Sequence, residues 1–245
     1  MKNRHNRSKG KVMERIIEKT EDGSATLYVP ELDEHYHSTK GAHTESQHIF
    51  IDMGLKASAA SSPQILEVGF GTGLNAWLTL LEAERSGREV CYTGLELYPL
   101  EWSVVEHLNY LSESEQIIIN SETLSAIELF KQLHTVPWNE AVRITPHFTL
   151  KKVQTDFRSW CTAEEREANT FSVVYFDAFA PEKQPEMWSQ NLFDALYRLL
   201  SPEGKLTTYC AKGVVRRMLQ AAGFVVERLQ GPPGGKREIL RANKP

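Results

Sequence analysis

The sequence has 245 residues, 41% of them hydrophobic and 24% charged, which is ordinary for a soluble globular chain of one large domain, or of one domain with a small appendage. No apolar run approaches the ~20 residues that a membrane span requires. The basic start, MKNRHNRSKGK, lacks the apolar segment of a secretory signal. The three cysteines form no CxxC pair, which predicts reduced thiols and a cytoplasmic protein.

Charge is distributed unevenly along the chain. The net charge of −4 argues against a nucleic-acid partner for the molecule as a whole, but residues 1–11 carry five basic and no acidic side chains, and residues 212–245 carry eight basic and two acidic ones. Basic ends can contact a phosphate backbone while the rest of a protein does not. For residues 1–11 we favour an unstructured tail.

The first predicted elements are two short strands. VMERIIEKT and SATLYVP, joined by Glu-Asp-Gly, predict a β-hairpin. The segment over residues 31–48 is polar and rich in histidine, and residues 44–60 are predicted to be helical. We therefore predict an N-terminal extension over residues 1–60 and a separate domain over residues 61–245.

From residue 64 onward, predicted strands and helices alternate. This alternation favours an α/β fold with a Rossmann-like, doubly wound, mostly parallel sheet of seven strands, the last two forming an antiparallel hairpin. Such a sheet binds its ligand beyond the carboxyl ends of its strands. The predicted strands are QILEV, EVCYTGLEL, HFTLKKVQTD, FSVVYFD, GKLTTYC, FVVERL and KREILRA; the predicted helices include residues 121–134, PEMWSQNLFDALYRLL and GVVRRMLQAAG.

A glycine-rich turn follows the first strand of this domain. In ILEVGFGTGLN, Gly69, Gly71 and Gly73 let backbone N–H groups approach a ligand closely. Gly71-x-Gly73-x-x-Ala76 also fits the dinucleotide fingerprint in its alanine variant. The glycines alone therefore do not distinguish NAD from S-adenosylmethionine.

Acidic residues end the first three strands. Glu67 would repel a pyrophosphate but favour the ammonium and sulfonium of S-adenosylmethionine, directly or through water. Glu96 can accept from both ribose hydroxyls in either cofactor class, and Asp156 can accept from the adenine amino group, with Phe157 beside the ring. The alternatives are a solvated edge acid for Glu96 and a helix cap for Asp156. Together the three acids predict a class I methyltransferase dependent on S-adenosylmethionine.

The fourth strand, VVYF, ends on Asp177 and continues as Asp-Ala-Phe-Ala-Pro. This loop resembles the Asp/Asn-Pro-Pro-Tyr loop of amino-methylating enzymes, in which an acid or amide holds the target nitrogen and an aromatic ring stacks on the base. Asp177 would hold the amine, Phe179 would stack on the base and Pro181 would stiffen the loop. A turn cap is the structural alternative for Asp177.

Four motifs extend the resemblance to a particular family. GFGTGLN, FDAFAPEKQPEMWSQNLF, GVVRRMLQAAGF and GGKREIL closely resemble the methyltransferase domain of the tRNA 5-methylaminomethyl-2-thiouridine biosynthesis family, and DEHYHS and ESQHIF resemble its opening segment. The resemblance covers roughly residues 30–242. Bifunctional members continue into an FAD-dependent oxidase, so the resemblance implies a stand-alone form that performs only the last step.

The resemblance implies that the protein uses S-adenosylmethionine to methylate the amine of 5-aminomethyl-(2-thio)uridine at the wobble position of tRNA. It assigns Asp177 to catalysis and Lys236 and Arg237 to tRNA contact. It assigns Tyr36 to closure over the cofactor. The remaining cofactor positions are Glu67, Gly69, Gly71, Gly73, Asn75 and Glu96.

Other classes of function stay open. One is a methyltransferase or an aminopropyltransferase acting on a small amine; aminopropyltransferases usually pair two acids around the amine, and the sequence offers one clear candidate, Asp177. Another is an NAD(P) oxidoreductase, against which Glu67 counts, or a non-catalytic RNA-binding module, which would have little use for the pocket acids. We predict no metal, because the histidines fit no standard zinc spacing, no membrane partner, and a monomer.

Overall fold

The computed structural model describes residues 14–163 and 165–245. The predicted basic tail over residues 1–11 and the start of the first predicted strand lie outside the described residues. Strand β1 (Ile16–Lys19) pairs antiparallel with β2 (Ala25–Val29), and β2 pairs antiparallel with β3 (Glu34–His35). The predicted N-terminal hairpin is therefore confirmed, with a third short strand added to it.

A helical segment follows and packs onto the main sheet. Helix α1 (Ala42–Ser46) runs directly into a π-helix over Gln47–Leu55, so the predicted helix exists but begins and ends earlier than residues 44–60. Ile49, Phe50 and Leu55 are fully buried and share one apolar cluster with Ile65 and Tyr175 of the sheet. This segment thus contributes to the core of the larger domain, and the domain boundary at residue 60 stays a prediction.

The main sheet of the described chain has eight strands, in the order β12-β13-β11-β10-β4-β5-β9-β8. Its five central strands, from β11 to β9, are parallel, and the pairs β12–β13, β13–β11 and β8–β9 are antiparallel. The predicted fold class is confirmed, including the C-terminal antiparallel hairpin. The strands are β4 (Gln64–Val68), β5 (Val90–Glu96), β8 (Ala141–Thr145), β9 (Phe148–Gln154), β10 (Phe171–Phe176), β11 (Leu200–Thr208), β12 (Val225–Gln230) and β13 (Glu238–Asn243).

Helices cover both faces of this sheet. Alternate residues of β10 point to opposite faces, as the period of two requires: Val173 and Tyr175 lie in one apolar cluster, and Val174 and Phe176 lie in the other. Helices α2 and α4 pack on the first face, and α5, α6 and α7 pack on the second. The helices are α2 (Leu74–Ser86), α3 (Trp102–Val105), α4 (Ala126–Thr135), α5 (Phe157–Thr162), α6 (Gln190–Leu199) and α7 (Gly213–Ala221), with 3₁₀ turns at Glu106–Leu108 and Pro185–Met187.

Two elements differ from the sequence-based prediction. The predicted helix over residues 121–134 begins at Ala126, because β6 (Gln116–Ile119) and β7 (Glu122–Ser125) form a hairpin across Asn120 and Ser121. Both turn residues have positive φ, as a two-residue turn between antiparallel strands favours. The sheet also has one strand more than the seven predicted, since β8 pairs antiparallel with β9 at the edge.

Candidate active site

The carboxyl ends of β4, β5, β9 and β10 meet along one edge of the sheet and enclose a cleft, which we call the main cleft. A second, neighbouring cavity, the side chamber, lies between residues 34–39, the loop after β10 and the C-terminal loop. Five residues line both cavities: Tyr36, His37, Asp177, Ala178 and Phe179. The two cavities therefore adjoin at the end of the strand that Asp177 terminates.

The glycine turn forms the floor of the main cleft. Gly69 and Gly71 have positive φ values of 91° and 51°, and the N–H groups of Gly69 and Phe70 both donate to the Leu95 carbonyl, which fixes the turn on β5. A Cβ on Gly69 would lie 3.0 Å from the Asp177 carbonyl oxygen, and one on Gly71 would lie 3.2 Å from the Tyr36 ring. Glycine is favoured at both positions, because positive φ strains other residues and because backbone or ring atoms lie close to where a side chain would begin.

Glu96 is tied to this turn. One carboxylate oxygen accepts from Gly71 N–H at 3.0 Å and the other from Tyr98 N–H at 2.8 Å. The side chain lines the main cleft at the end of β5, where it was predicted. Glu96 is not merely a solvated edge acid, because both of its carboxylate oxygens accept hydrogen bonds from backbone N–H groups. Its remaining lone pairs can accept from hydroxyl groups in the cleft.

Asp156 and Phe157 line the main cleft after the end of β9, the neighbour of β5. Asp156 caps α5, with its carboxylate accepting from Arg158 N–H at 2.9 Å, so the alternative interpretation as a helix cap is confirmed in geometry. The same carboxylate is bound by the Arg158 guanidinium, which lowers the pKa of Asp156 below its ordinary value. Each carboxylate oxygen has two lone pairs, so capping leaves acceptor capacity for a ligand.

A buried chain of polar side chains connects the first strand to the fourth. The Asn75 amide donates from one nitrogen to Glu67 and to Asp177, at 2.9 Å each. Glu67 is fully buried and does not line the main cleft, whereas Asn75 does. Asn75 thus connects Glu67 to the main cleft, and the action of Glu67 on a ligand, directly or through water, stays a prediction. Gly73 likewise does not line the cleft; it begins α2 with a φ of 74°.

Burial shifts the pKa values of both acids in this chain. Desolvation raises the pKa of Glu67 well above its ordinary value, although the neighbouring Tyr92 hydroxyl and Asn75 oppose the shift. The Asp177 side chain opens onto both cavities but is otherwise surrounded by protein. Its burial, together with the negative charge of Glu45, raises the pKa of Asp177 to about 7, against the Asn75 hydrogen bond and the Lys236 charge. Asp177 can thus take up or release a proton near neutral pH.

The loop after Asp177 is held rigidly by its backbone. The Ala178 carbonyl accepts from the Tyr209 hydroxyl at 2.9 Å, and the Phe179 carbonyl accepts from the Trp188 indole N–H at 2.8 Å. The Phe179 ring meets the Tyr36 ring edge to face, with centroids 5.2 Å apart, and the two rings form part of the boundary between the cavities. Pro181, predicted as a substrate residue, lines neither cavity.

The two basic residues predicted to contact tRNA lie in different surroundings. Lys236 lines the side chamber, where its ammonium contacts Glu45 at 3.0 Å and lies 4.1 Å from the centroid of the Tyr209 ring. Arg237 does not line the side chamber; it is exposed on the loop that joins β12 and β13. The pattern Lys-Arg-Glu therefore places one basic side chain in the site and the next outside it.

Several residues that line the two cavities were not predicted from the sequence, and three of them matter most for the chemistry. Glu45, on α1, and Tyr209, directly after β11, face the side chamber. Thr72 lines the main cleft and contacts His37 at 2.8 Å between its hydroxyl and the imidazole Nε2. Burial lowers the pKa of His37 to about 4, so the ring is neutral near pH 7. ESQHIF holds Glu45 and was a sign of the family resemblance, but nothing in its spacing marked that acid as part of a site.

Known proteins resemble this chain in sequence and in structure. A family model described as S-adenosyl-L-methionine-dependent methyltransferase matches residues 125–245. The bifunctional tRNA 5-methylaminomethyl-2-thiouridine biosynthesis protein MnmC of Cupriavidus metallidurans is 31% identical over 242 residues, covering 94% of this chain and 34% of that protein. The chain thus spans about a third of the length of this relative.

Two solved structures show the same fold. The crystal structure of MNMC2 from Aquifex aeolicus has a TM-score of 0.71 at 27% identity, covering 95% of this chain and 71% of that one. Spermidine synthase from Thermotoga maritima has a TM-score of 0.54 at 14% identity, covering 95% and 73%, and at that identity it supports the fold alone.

The fold, the glycine turn and the family match define this protein as a class I S-adenosyl-L-methionine-dependent methyltransferase. Within that class, the resemblance of the chain to the methyltransferase domain of the tRNA 5-methylaminomethyl-2-thiouridine biosynthesis proteins is confirmed.

The residues of the main cleft suit S-adenosylmethionine, the cofactor that this class uses. The Asn75 side-chain oxygen is buried at the cleft wall and has no hydrogen-bond partner among the described residues, so it can accept from an ammonium group. Gly69 and Gly71 leave backbone exposed where side chains would fill the space. Among the described residues, no cluster of three metal-ligating side chains occurs, and no helix is long and apolar enough to cross a membrane.

Proposed function

We propose that the protein methylates the amine of 5-aminomethyl-(2-thio)uridine at the wobble position of tRNA, giving 5-methylaminomethyl-(2-thio)uridine. One observation carries this proposal: Asp177, with its pKa near neutrality, lies where the main cleft and the side chamber adjoin. A carboxylate at that junction can contact a nucleophile in the side chamber that faces a methyl donor in the main cleft. The sequence similarity to MnmC proteins supplies the identity of the nucleophile.

In this proposal the main cleft binds the cofactor. Asn75, supported by Glu67, accepts from the methionyl ammonium; Glu96 accepts from the ribose hydroxyls; and Asp156 and Phe157 hold the adenine. Tyr36 lies against Gly71 and closes the side of the cleft next to the chamber. When bound, S-adenosylmethionine supplies a methyl carbon whose bond to sulfur breaks as the amine lone pair bonds to it, leaving a neutral thioether.

Asp177 prepares the amine in the side chamber. An aminomethyl group is mostly a protonated ammonium near pH 7 and must lose a proton to expose its lone pair. Asp177 accepts a hydrogen bond from the amine and takes that proton, while the Phe179 ring stacks on the uracil. The rigid loop after β10 fixes both groups, so positioning supplies much of the rate.

The partner in this proposal is tRNA, which would place the reaction in the cytoplasm. Arg237 and the other exposed basic residues of the C-terminal region contact phosphates, since such contacts supply most of the affinity for RNA. The chamber itself selects the base. The protein acts as a monomer in this proposal.

The decisive experiment is methyl transfer from labelled S-adenosylmethionine into tRNA from cells that lack 5-methylaminomethyluridine methylation, followed by nucleoside mass spectrometry. We expect a gain of one methyl on 5-aminomethyl-(2-thio)uridine and none on tRNA from cells that carry the finished modification. Cofactor binding without transfer to the deficient tRNA would contradict the proposal.

A second candidate function is favoured by one observation. Three acids line the side chamber, Asp177, Glu45 and Glu34, where the sequence suggested one. Paired acids suit transferases that act on small amines, including aminopropyltransferases. Incubation with putrescine and decarboxylated S-adenosylmethionine tests this alternative; formation of spermidine at a rate comparable to tRNA methylation would favour it.

A further inference from the structure

We propose that Glu45 and the Tyr209 ring form a subsite for the ammonium group of the acceptor, and that Lys236 occupies this subsite until the acceptor displaces it. The inference rests on the proposed methylation of a primary amine. It concerns the side chamber, and it gives Lys236 a role different from contact with an RNA phosphate.

Glu45 is a buried acid with a fixed orientation. Its residue exposure is 8%, and one carboxylate oxygen accepts from Ser38 N–H at 2.8 Å, which leaves the other to face the Lys236 ammonium at 3.0 Å. An ionised carboxylate is costly to bury without a partner, and a hydrogen-bonding cation offsets that cost. The chamber is therefore built to hold a positive charge next to Glu45.

Tyr209 supplies the second side of the subsite. Its hydroxyl is held by the Ala178 carbonyl, and the Lys236 ammonium lies 4.1 Å from its ring centroid, within the range of a cation–π contact. An acid beside an aromatic face is a general arrangement for binding alkylammonium groups. Tyr209 and Asp177 also interact electrostatically: burial raises the pKa of Tyr209, and the negative charge of Asp177 adds to that shift.

Lys236 is chemically a primary alkylammonium, as is a protonated aminomethyl group. It sits on the loop between β12 and β13, which contains three glycines (Gly231, Gly234, Gly235) and two prolines (Pro232, Pro233), and about two-fifths of its side chain is exposed. A long side chain on such a loop can withdraw without unfolding a strand. Exchange of one ammonium for the other leaves the net charge of the side chamber unchanged.

The test measures binding of two RNA probes to the protein saturated with S-adenosylhomocysteine. The probes are anticodon stem-loops that differ only at the wobble base, one with 5-aminomethyluridine and one with 5-hydroxymethyluridine. The ratio of the two affinities isolates the contribution of the ammonium group, because both probes offer the same phosphates. We expect the wild type to prefer the aminomethyl probe by about tenfold, as a charge-assisted hydrogen bond provides.

Two variants decide the roles. Glu45→Gln keeps an oxygen for Ser38 N–H but removes the charge, and we expect it to lower the preference at least threefold. Lys236→Met removes the ammonium that occupies the subsite. We expect this variant to bind the aminomethyl probe as tightly as the wild type or more tightly. An unchanged preference in E45Q, or weaker aminomethyl binding by K236M, overturns the proposal. If E45Q does not fold, K236M alone decides.

Failure of this subsite is distinguishable from failure of the proposed function. The subsite alone is refuted if the wild type methylates the deficient tRNA and E45Q keeps the wild-type preference for the aminomethyl probe. Wild-type protein that binds cofactor but does not methylate that tRNA refutes the proposed function.

Discussion

The Asp177 carboxylate is the group on which the proposed reaction depends most. We expect Asp177→Asn to lower kcat by about 100-fold or more, because an amide can hold the amine but cannot take its proton. The asparagine oxygen can still accept from Asn75, so the affinity for S-adenosylmethionine should change less than about threefold. Steady-state kinetics and calorimetric titration check both values. Asp194→Asn, on the exposed face of α6, is the matched control and should leave both unchanged.

The raised pKa of Asp177 predicts a pH dependence. The carboxylate form is needed, so kcat/KM should rise with pH to a plateau, with a midpoint at about 7. Because the Glu45 charge raises the pKa of Asp177, E45Q should move this midpoint to lower pH. The folded protein holds the Asp177 proton more tightly than the unfolded chain, so this group should also make the free energy of unfolding fall as pH rises from about 4 to 7. A pH-rate profile that is flat between about pH 6 and 8 would contradict the assignment.

The sequence predicted the residues whose position follows from topology. Asp177, Glu96 and Asp156 each end a strand, and the carboxyl ends of parallel strands converge at one edge of a sheet. Glu45 and Tyr209 could not be found in this way, because they face the chamber only through packing of α1 on the sheet and the path of the chain after β11. Glu67 was predicted to act on the cofactor directly or through water, and that stays a prediction; the Asn75 side chain, which bonds to this acid and lines the cleft, is a link that the sequence did not indicate.

At the scale of elements, the two glycines that flank α2 offer a matched pair of substitutions. Gly73 and Gly87 flank α2 with similar φ values of 74° and 69°, but a Cβ on Gly73 would lie 2.7 Å from the His134 imidazole, whereas one on Gly87 meets nothing within 4 Å. Gly87→Ala should cost about 1 kcal/mol from the left-handed backbone alone. Gly73→Ala adds the clash and should cost roughly 2–4 kcal/mol.

Chemical denaturation measures the two losses of stability. We also expect G73A to weaken cofactor binding, because the turn that precedes Gly73 lines the main cleft, while G87A should leave it unchanged. Equal losses of stability in the two variants would show that the His134 ring moves aside freely, and that the turn is less tightly packed than the structure indicates.

Periodic, buried elements were predicted well, and short edge elements were not. Strands β4 and β10 at the centre of the sheet are mostly apolar and the long helices have clear apolar stripes, so both are evident in the sequence. Strand β8 has no such signal, since it lies at the edge and half of it is exposed. The β6–β7 hairpin depends on positive φ at Asn120 and Ser121, and only Asn favours that conformation.

At the scale of the whole molecule, two cavities adjoin at Asp177, and the proposed function assigns the cofactor to one and the acceptor to the other. Nothing in the sequence indicated the second cavity. That chamber lies between the N-terminal strands, α1, the loop after β10 and the C-terminal loop. The N-terminal segment therefore contributes to the site itself, and we expect its residues to influence the choice of acceptor.

The uneven charge of the whole chain leads to a final prediction. The net charge is −4, yet the C-terminal region is basic, so RNA should bind through a limited number of phosphate contacts. The logarithm of the KM for tRNA should rise linearly with the logarithm of salt concentration, and Arg237→Met should reduce that slope by about one contact. The affinity for S-adenosylmethionine, which does not depend on phosphate contacts, serves as the control and should change little over the same salt range. A salt slope that R237M leaves unchanged would place the RNA on another surface, and would leave the chamber assignment to be tested with the stem-loop probes alone.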